Sequence, residues 1–190
     1  MTKTEILKIF EETGALLNGH FELRSGLHSA NYFQCANVLR FPRAAEKLCA
    51  ALVARMTSES KLGHIDGVIA PALGGIIVGH EVARALNVKS IFAEKEGGKL
   101  VMRRFEIKPG ERYVVAEDVI TRGGRVQEVV DIVTASGAEV AAIGVLVDRS
   151  AGAAKFVAPM FRLLEMSPQV WEPSACPLCR QGSKAVHPGS

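Results

Sequence analysis

The sequence predicts an α/β fold in which an open, mostly parallel sheet is flanked by helices and preceded by a small N-terminal hood. Three observations carry this reading. Short runs rich in β-branched and apolar residues recur at 67–70 (GVIA), 89–93 (KSIFA), 113–117 (YVVAE) and 139–147 (EVAAIGVLV), a pattern that suits strands buried on both faces of a parallel sheet. Helical periodicity fills 75–86 and 124–136 between them, as crossover helices require. The chain has 190 residues, 48% apolar and 23% charged, enough for one packed domain of ordinary globular composition.

Taken in order, Ile6, Leu7 and Phe10 share one face of a helix over 3–13 that stops at Gly14. Apolar runs broken by Asn18-Gly19 and Ser25-Gly26 then predict small strands joined by turns. Together, residues 1–40 make the N-terminal helix and hood. Ala44, Leu48, Leu52 and Met56 mark a helix over 43–56 that opens an α/β core spanning 41–166. Residues 94–110 interrupt the rhythm with mixed charges and Gly97-Gly98, and are expected to form a mobile loop or hairpin. From 167 to 190 a Pro-, Gly- and Ser-rich tail shows little periodicity.

The most informative stretch is YVVAEDVITRGGRVQE at 113–128. An apolar strand stops at Glu117 and Asp118, a loop passes Thr121, Gly123 and Gly124, and a helix follows. Loops at the carboxyl ends of such strands bind ligands, and free N–H groups at the helix start favour a phosphate. Two carboxylates would repel that phosphate unless they face hydroxyls or a divalent cation. A sugar phosphate answers both demands.

VVAEDVITRGG resembles the phosphoribosyl diphosphate (PRPP) signature of the type I phosphoribosyltransferases, with Arg122 and Arg125 where many members carry small or hydroxyl residues. The resemblance implies that Glu117 and Asp118 hold the ribose hydroxyls, and that Val119, Ile120, Thr121, Arg122, Gly123, Gly124 and Arg125 cradle the 5′-phosphate. APALGGI at 70–76 looks like the family's pyrophosphate loop, which implies backbone contacts from Ala72, Leu73 and Gly74. FAEKE places Lys95 where the family's flexible catalytic loop carries a lysine that meets the leaving group; the roles of Lys99, Arg103 and Arg104 stay open.

Two further stretches point to the base. FELRSGLHSANYFQ at 21–34 combines a cation with an aromatic pair and resembles the N-terminal motif of the orotate phosphoribosyltransferases. That resemblance implies that Arg24, Tyr32 and Phe33 embrace the pyrimidine, with Thr121 alongside. VLVDRS at 145–150 ends a strand in Asp148-Arg149, and a guanidinium there suits a carboxylate. In the resemblance Arg149 binds the orotate carboxylate and Asp148 orients or neutralises it. The expected reaction joins orotate and PRPP to give orotidine 5′-monophosphate and pyrophosphate, with Mg²⁺ as cofactor, bound through PRPP and water and not directly by the protein. A homodimer sharing the Lys95 loop across subunits is expected too. A purine phosphoribosyltransferase would keep the 113–125 loop but would not need Arg149 paired with Arg24, and a PRPP-sensing regulator would keep it and usually add a DNA-binding element, for which the sequence offers no helix-turn-helix outside the sheet unit.

The net charge of +3 is mild and scattered, which argues against nucleic acid. The longest stretch free of charged residues and histidine, Gly67 to Gly79, is too short for a bilayer, and MTKTEILK is no signal peptide, so a cytoplasmic protein is expected. Of four cysteines, Cys35 and Cys49 sit in apolar contexts. Cys176 and Cys179 form CPLC, half of a zinc site whose nearest further ligand in sequence is His187, or an inert pair of thiols.

Overall fold

The computed structural model describes residues 1–23 and 25–188, so Arg24 lies outside the described residues. Helix α1 (Lys3–Glu12) starts with a reciprocal capping box between Thr2 and Glu5. It buries Ile6 and Phe10 against the hood, whose strands are β1 (Leu16–Glu22) and β2 (His28–Phe33). A short helix, α2 (Ala36–Leu39), leads into α3 (Pro42–Glu59), with Pro42 in its first turn. The core continues β3 (Gly67–Pro71), α4 (Gly74–Leu86), β4 (Lys89–Glu96), β5 (Lys99–Val101), β6 (Arg112–Ile120), α5 (Gly124–Ala135), β7 (Glu139–Asp148) and β8 (Met160–Glu165). Strand β9 (Val170–Trp171), a 3₁₀ turn at Pro173–Ala175 and α6 (Pro177–Arg180) close the chain.

The main sheet has the order β5-β4-β3-β6-β7-β8, parallel throughout except for the antiparallel β5. Chain direction reverses between β3 and β6. From β3 the chain moves outward to β4, and from β6 it moves the other way to β7, so the crevice between their carboxyl ends is the ligand position of an open α/β sheet. Alternate residues of the uniformly apolar strands feed two cores. Val68, Val114 and Ala116 pack with α3 and α4, while Ile69, Tyr113 and Val115 pack with Val126, Val129 and Val133 of α5.

Three local readings are corrected and one is borne out. Asn18-Gly19 is not a turn but lies inside β1, where the pairing with β2 shifts register. Glu117 and Asp118 do not stand past the strand end, because β6 runs on to Ile120. Of the loop or hairpin expected over 94–110, residues 94–101 form a hairpin, with β4 and β5 paired about Gly97-Gly98, both at positive φ. The tail carries order: β9 pairs antiparallel with β2 as the third strand of the hood sheet, and Val186 forms a bridge with Phe21.

Candidate active site

The crevice at the sheet's switch point brings together most of the residues singled out above. Glu117 and Asp118 fit there because of two glycines on α4. A Cβ on Gly74 would lie 2.8 Å from Asp118 Oδ2, and one on Gly75 would lie 3.0 Å from Glu117 Oε1. The glycines of PALGG therefore make room for the two acids, a role beyond close approach of a ligand. Glu117 is buried and accepts a hydrogen bond from the Asp118 N–H at 3.2 Å. Burial, then the neighbouring Asp118 charge, push its carboxyl up to about 9, with Arg125 acting in the opposite direction. At neutral pH Glu117 keeps its proton. Asp118 is half-buried and accepts from the Val119 N–H at 2.8 Å.

Thr121, Arg122, Gly124 and Arg125 are exposed along the loop into α5. Gly123 caps that helix at φ 81° with no side-chain cap, leaving the first N–H groups of α5 open to the crevice. A Cβ there would meet Phe156 at 3.0 Å, so glycine is required twice over. The loop and Glu117 line a cavity of about 270 Å³. A neighbouring cavity of about 300 Å³ is lined by Ala72, Leu73, Lys95 and Arg125, so the predicted pyrophosphate loop and the β4 lysine face one space. The Arg125 guanidinium donates to the Ala72 carbonyl and ties the two loops together. The Ala72–Leu73 peptide is cis. Glu128 of α5 holds the hairpin by accepting from the Leu100 N–H at 2.8 Å.

Two arginines that follow the hairpin pair with its acids. Arg104 pairs with Glu94 at 2.8 Å and Arg103 with Glu96 at 3.7 Å, and of the hairpin's cations Lys95 is the one that lines the cavity, together with Arg125 of α5. A larger cavity of about 730 Å³ lies between α1, α3 and β8, away from the crevice. Within it Arg55 pairs with Glu59 and Arg162 with Glu165.

On the base side two expectations change. Tyr32 and Phe33 are neighbours on a strand and point to opposite faces. Phe33 is buried edge-on against Phe10, ring centroids 5.0 Å apart, and belongs to the core; Tyr32 is half-buried beside Phe21. They do not form an aromatic pair around one ring. Asp148 does not orient Arg149 either. It is buried, accepts from the Ser150 N–H at 2.8 Å and faces Arg162 at 3.7 Å. Arg149 donates its backbone N–H to the Ile120 carbonyl at 2.8 Å, which sets it beside the start of the Thr121 loop. Its guanidinium is partly buried and pairs with no carboxylate among the described residues. Burial lowers its pKa, while the Tyr32 side chain acts to raise it. A cation held out of water without a counter-ion is a receptor for an anion.

Sequence reasoning missed His20 and His28, two buried imidazoles of the hood. The available signal was a CPLC pair short of two ligands in a chain with only five histidines.

Comparisons agree with this geometry. The family model for a phosphoribosyl transferase domain matches residues 41–178. An orotate phosphoribosyltransferase of Desulforamulus reducens is 50% identical over 191 aligned residues, covering 100% of this chain and 98% of that protein. One of Pelotomaculum thermopropionicum is 52% identical with the same coverage. Among solved structures, an orotate phosphoribosyltransferase from Aeropyrum pernix superposes with a TM-score of 0.70 over 85% of this chain and 93% of its own, at 24% identity, a likeness of fold.

Proposed function

The chain belongs to the phosphoribosyltransferase family, in its orotate branch, and from that premise we propose how its crevice performs the transfer of a 5-phosphoribosyl group from PRPP to orotate. The products are orotidine 5′-monophosphate, on the route to pyrimidine nucleotides, and pyrophosphate.

Departure of pyrophosphate leaves positive charge at the anomeric carbon and negative charge on the leaving group, so positioning and electrostatics dominate and no nucleophilic side chain is needed. The 5′-phosphate rests on the N–H groups of 121–125 at the start of α5. Asp118 accepts from a ribose hydroxyl. Protonated Glu117 adds a hydroxyl donor and spares the phosphates a second negative charge. The loop at 72–74 and Lys95 receive the pyrophosphate. Mg²⁺ fits this donor set, since Asp118 offers hard carboxylate oxygens at the crevice and no thiol or imidazole lines either cavity among the described residues. When bound with PRPP it would neutralise charge on the departing pyrophosphate. Four free cysteines fit a reducing cytoplasm, and among the described residues no helix is long and apolar enough to cross a membrane.

Arg149 is the observation that carries the choice of base. Its unpaired guanidinium, beside Tyr32 and the Thr121 loop, would bind the orotate carboxylate through paired hydrogen bonds while Tyr32 meets the ring. Phe33 supports Tyr32's strand from the core side, and the part of Arg24 is left to substitution. Arg149→Ala should cost on the order of 2–4 kcal/mol in orotate kcat/KM and spare PRPP recognition. Orotate and uracil compared on both proteins test this. A preference for orotate that survives the substitution overturns the assignment.

We also propose a homodimer in which the Lys95 hairpin serves the partner's site, because the hairpin ends in β5 at the edge of the sheet. Mixing inactive Lys95→Ala and Arg149→Ala chains should restore one working site per heterodimer. No recovery after verified subunit exchange means that each chain uses its own hairpin.

A further inference from the structure

Four side chains with no part in the transfer reaction meet between the hood and the tail. His20 of β1, His28 of β2 and the CPLC cysteines Cys176 and Cys179 place His20 Nε2, His28 Nδ1 and both sulfurs within 4.8 Å of one another. We propose that they form a structural Cys₂His₂ zinc site that clamps the tail onto the hood.

Four of the separations lie close to the edges of a zinc tetrahedron. Zinc–nitrogen and zinc–sulfur bonds of about 2.0 and about 2.3 Å at tetrahedral angles imply N···N near about 3.3 Å and N···S near about 3.5 Å. The observed N···N separation is 2.9 Å. The N···S separations are 3.5 Å for Cys176 with His20, 3.8 Å for Cys179 with His20 and 3.3 Å for Cys179 with His28. The remaining separations are within 4.8 Å, so small shifts of the side chains place all four at bonding distance from one centre.

The surroundings favour a metal as well. His20 Nδ1 lies 3.1 Å from Ser183 Oγ, so that nitrogen can carry the proton and donate it, leaving the Nε2 lone pair aimed into the cluster. The register shift between Asn18 and Phe21 falls at His20 and turns its ring to meet His28, centroids 4.8 Å apart. Two thiolates and two neutral imidazoles cancel the charge of Zn²⁺, which suits a site where His20, His28 and Cys176 are 7%, 8% and 0% exposed. Cysteines spaced C-x₂-C at the start of α6, with two histidines from a hairpin, give a closed donor set without a water position, the mark of a structural ion and not a catalytic one. His187, the nearest candidate in sequence, is not in the cluster.

Backbone contacts show what the ion would fasten. Val186 N–H donates to the His20 carbonyl at 2.9 Å, Glu22 N–H donates to the Val186 carbonyl at 3.0 Å, and His28 is the register partner of Trp171 in β9. Since Tyr32 continues the strand that His28 begins, zinc would also hold the hood at the base site.

The test is metal analysis of the tag-free full chain. About one zinc per chain is expected after gel filtration, and Co²⁺ exchanged for it should show the intense visible bands of tetrahedral thiolate coordination. Cys176→Ser with Cys179→Ser, and separately His28→Ala, should lose the ion, while His187→Ala keeps it. Should those variants fail to fold, zinc content and the cobalt spectrum of the unaltered protein still decide. Substoichiometric zinc that added Zn²⁺ does not raise, a Cys176–Cys179 disulfide, or cobalt bands unchanged in the double cysteine variant would each overturn the proposal.

Discussion

Glu111, just ahead of β6, accepts hydrogen bonds from Lys89 Nζ at 2.5 Å, Tyr113 Oη at 2.7 Å and the Lys108 N–H at 2.9 Å. These partners, the lysine first, hold its carboxyl down at about 2. Toward the other end of the strand Glu117 is buried beside a second carboxylate, with the Arg125 cation acting against the shift, and is pushed up to about 9. The same side chain is thus satisfied within the fold at one end and left short of partners at the other. A group that only holds structure arrives with its partners in the chain. A group that meets a ligand keeps its demand open until the ligand supplies it.

The contrast can be broken most sharply at Asp118. Asp118→Asn keeps the shape but removes the anionic acceptor, and should lower kcat/KM by about 10²- to 10³-fold, about 3–4 kcal/mol, with little change in Tm. Steady-state kinetics beside thermal melts check it; near-normal activity would mean that the carboxyl end is as structural as the amino end.

Stability against pH separates the two glutamates. Glu117 has a folded pKa above its unfolded value near 4.5, so its contribution is fully present below about 4.5 and is lost as pH rises toward about 9. Denaturant melts should show stability falling by about 2 kcal/mol between about pH 6 and about pH 8, a slope that Glu117→Gln flattens. Glu111 has the opposite sign, since its contribution is present above about 4.5 and lost as pH falls through about 2. With Lys89 partly exposed the pair is screened, and Glu111→Gln should cost only about 1 kcal/mol at neutral pH and leave kinetics unchanged. Equal pH slopes in the two variants would erase the distinction.

What the sequence made legible follows from how local each signal is. The central strands and α4 and α5 showed in runs of four or more apolar residues and in 3.6-residue spacing, because burial on two faces writes itself into consecutive positions. The phosphate loop was legible for the same reason, since strand, acids and glycines lie in one stretch. The reason for Gly74 and Gly75 was not, because the acids they accommodate sit on another strand. MFRLLE of β8 mixes charge into a short apolar run at the sheet edge, and β9 has two residues, too few for any period. The separation of Tyr32 from Phe33 required knowing that both lie in a strand. Asp148 turning to Arg162 required knowing that β8 pairs with β7.

The third strand of the hood has a consequence for the order in which the molecule assembles. Ser29 of β2 donates to the Gln169 carbonyl, 140 residues along the chain. Closing a flexible loop of that length from the unfolded state costs roughly 4 kcal/mol in chain entropy before any contact repays it. Once the α/β core has folded, β8 delivers residue 165 to a fixed place and only a few residues remain to be ordered before β9 reaches β2. The first hairpin in the sequence is therefore among the last pieces to be completed, and during synthesis β2 waits with a free edge for a strand that has yet to be made.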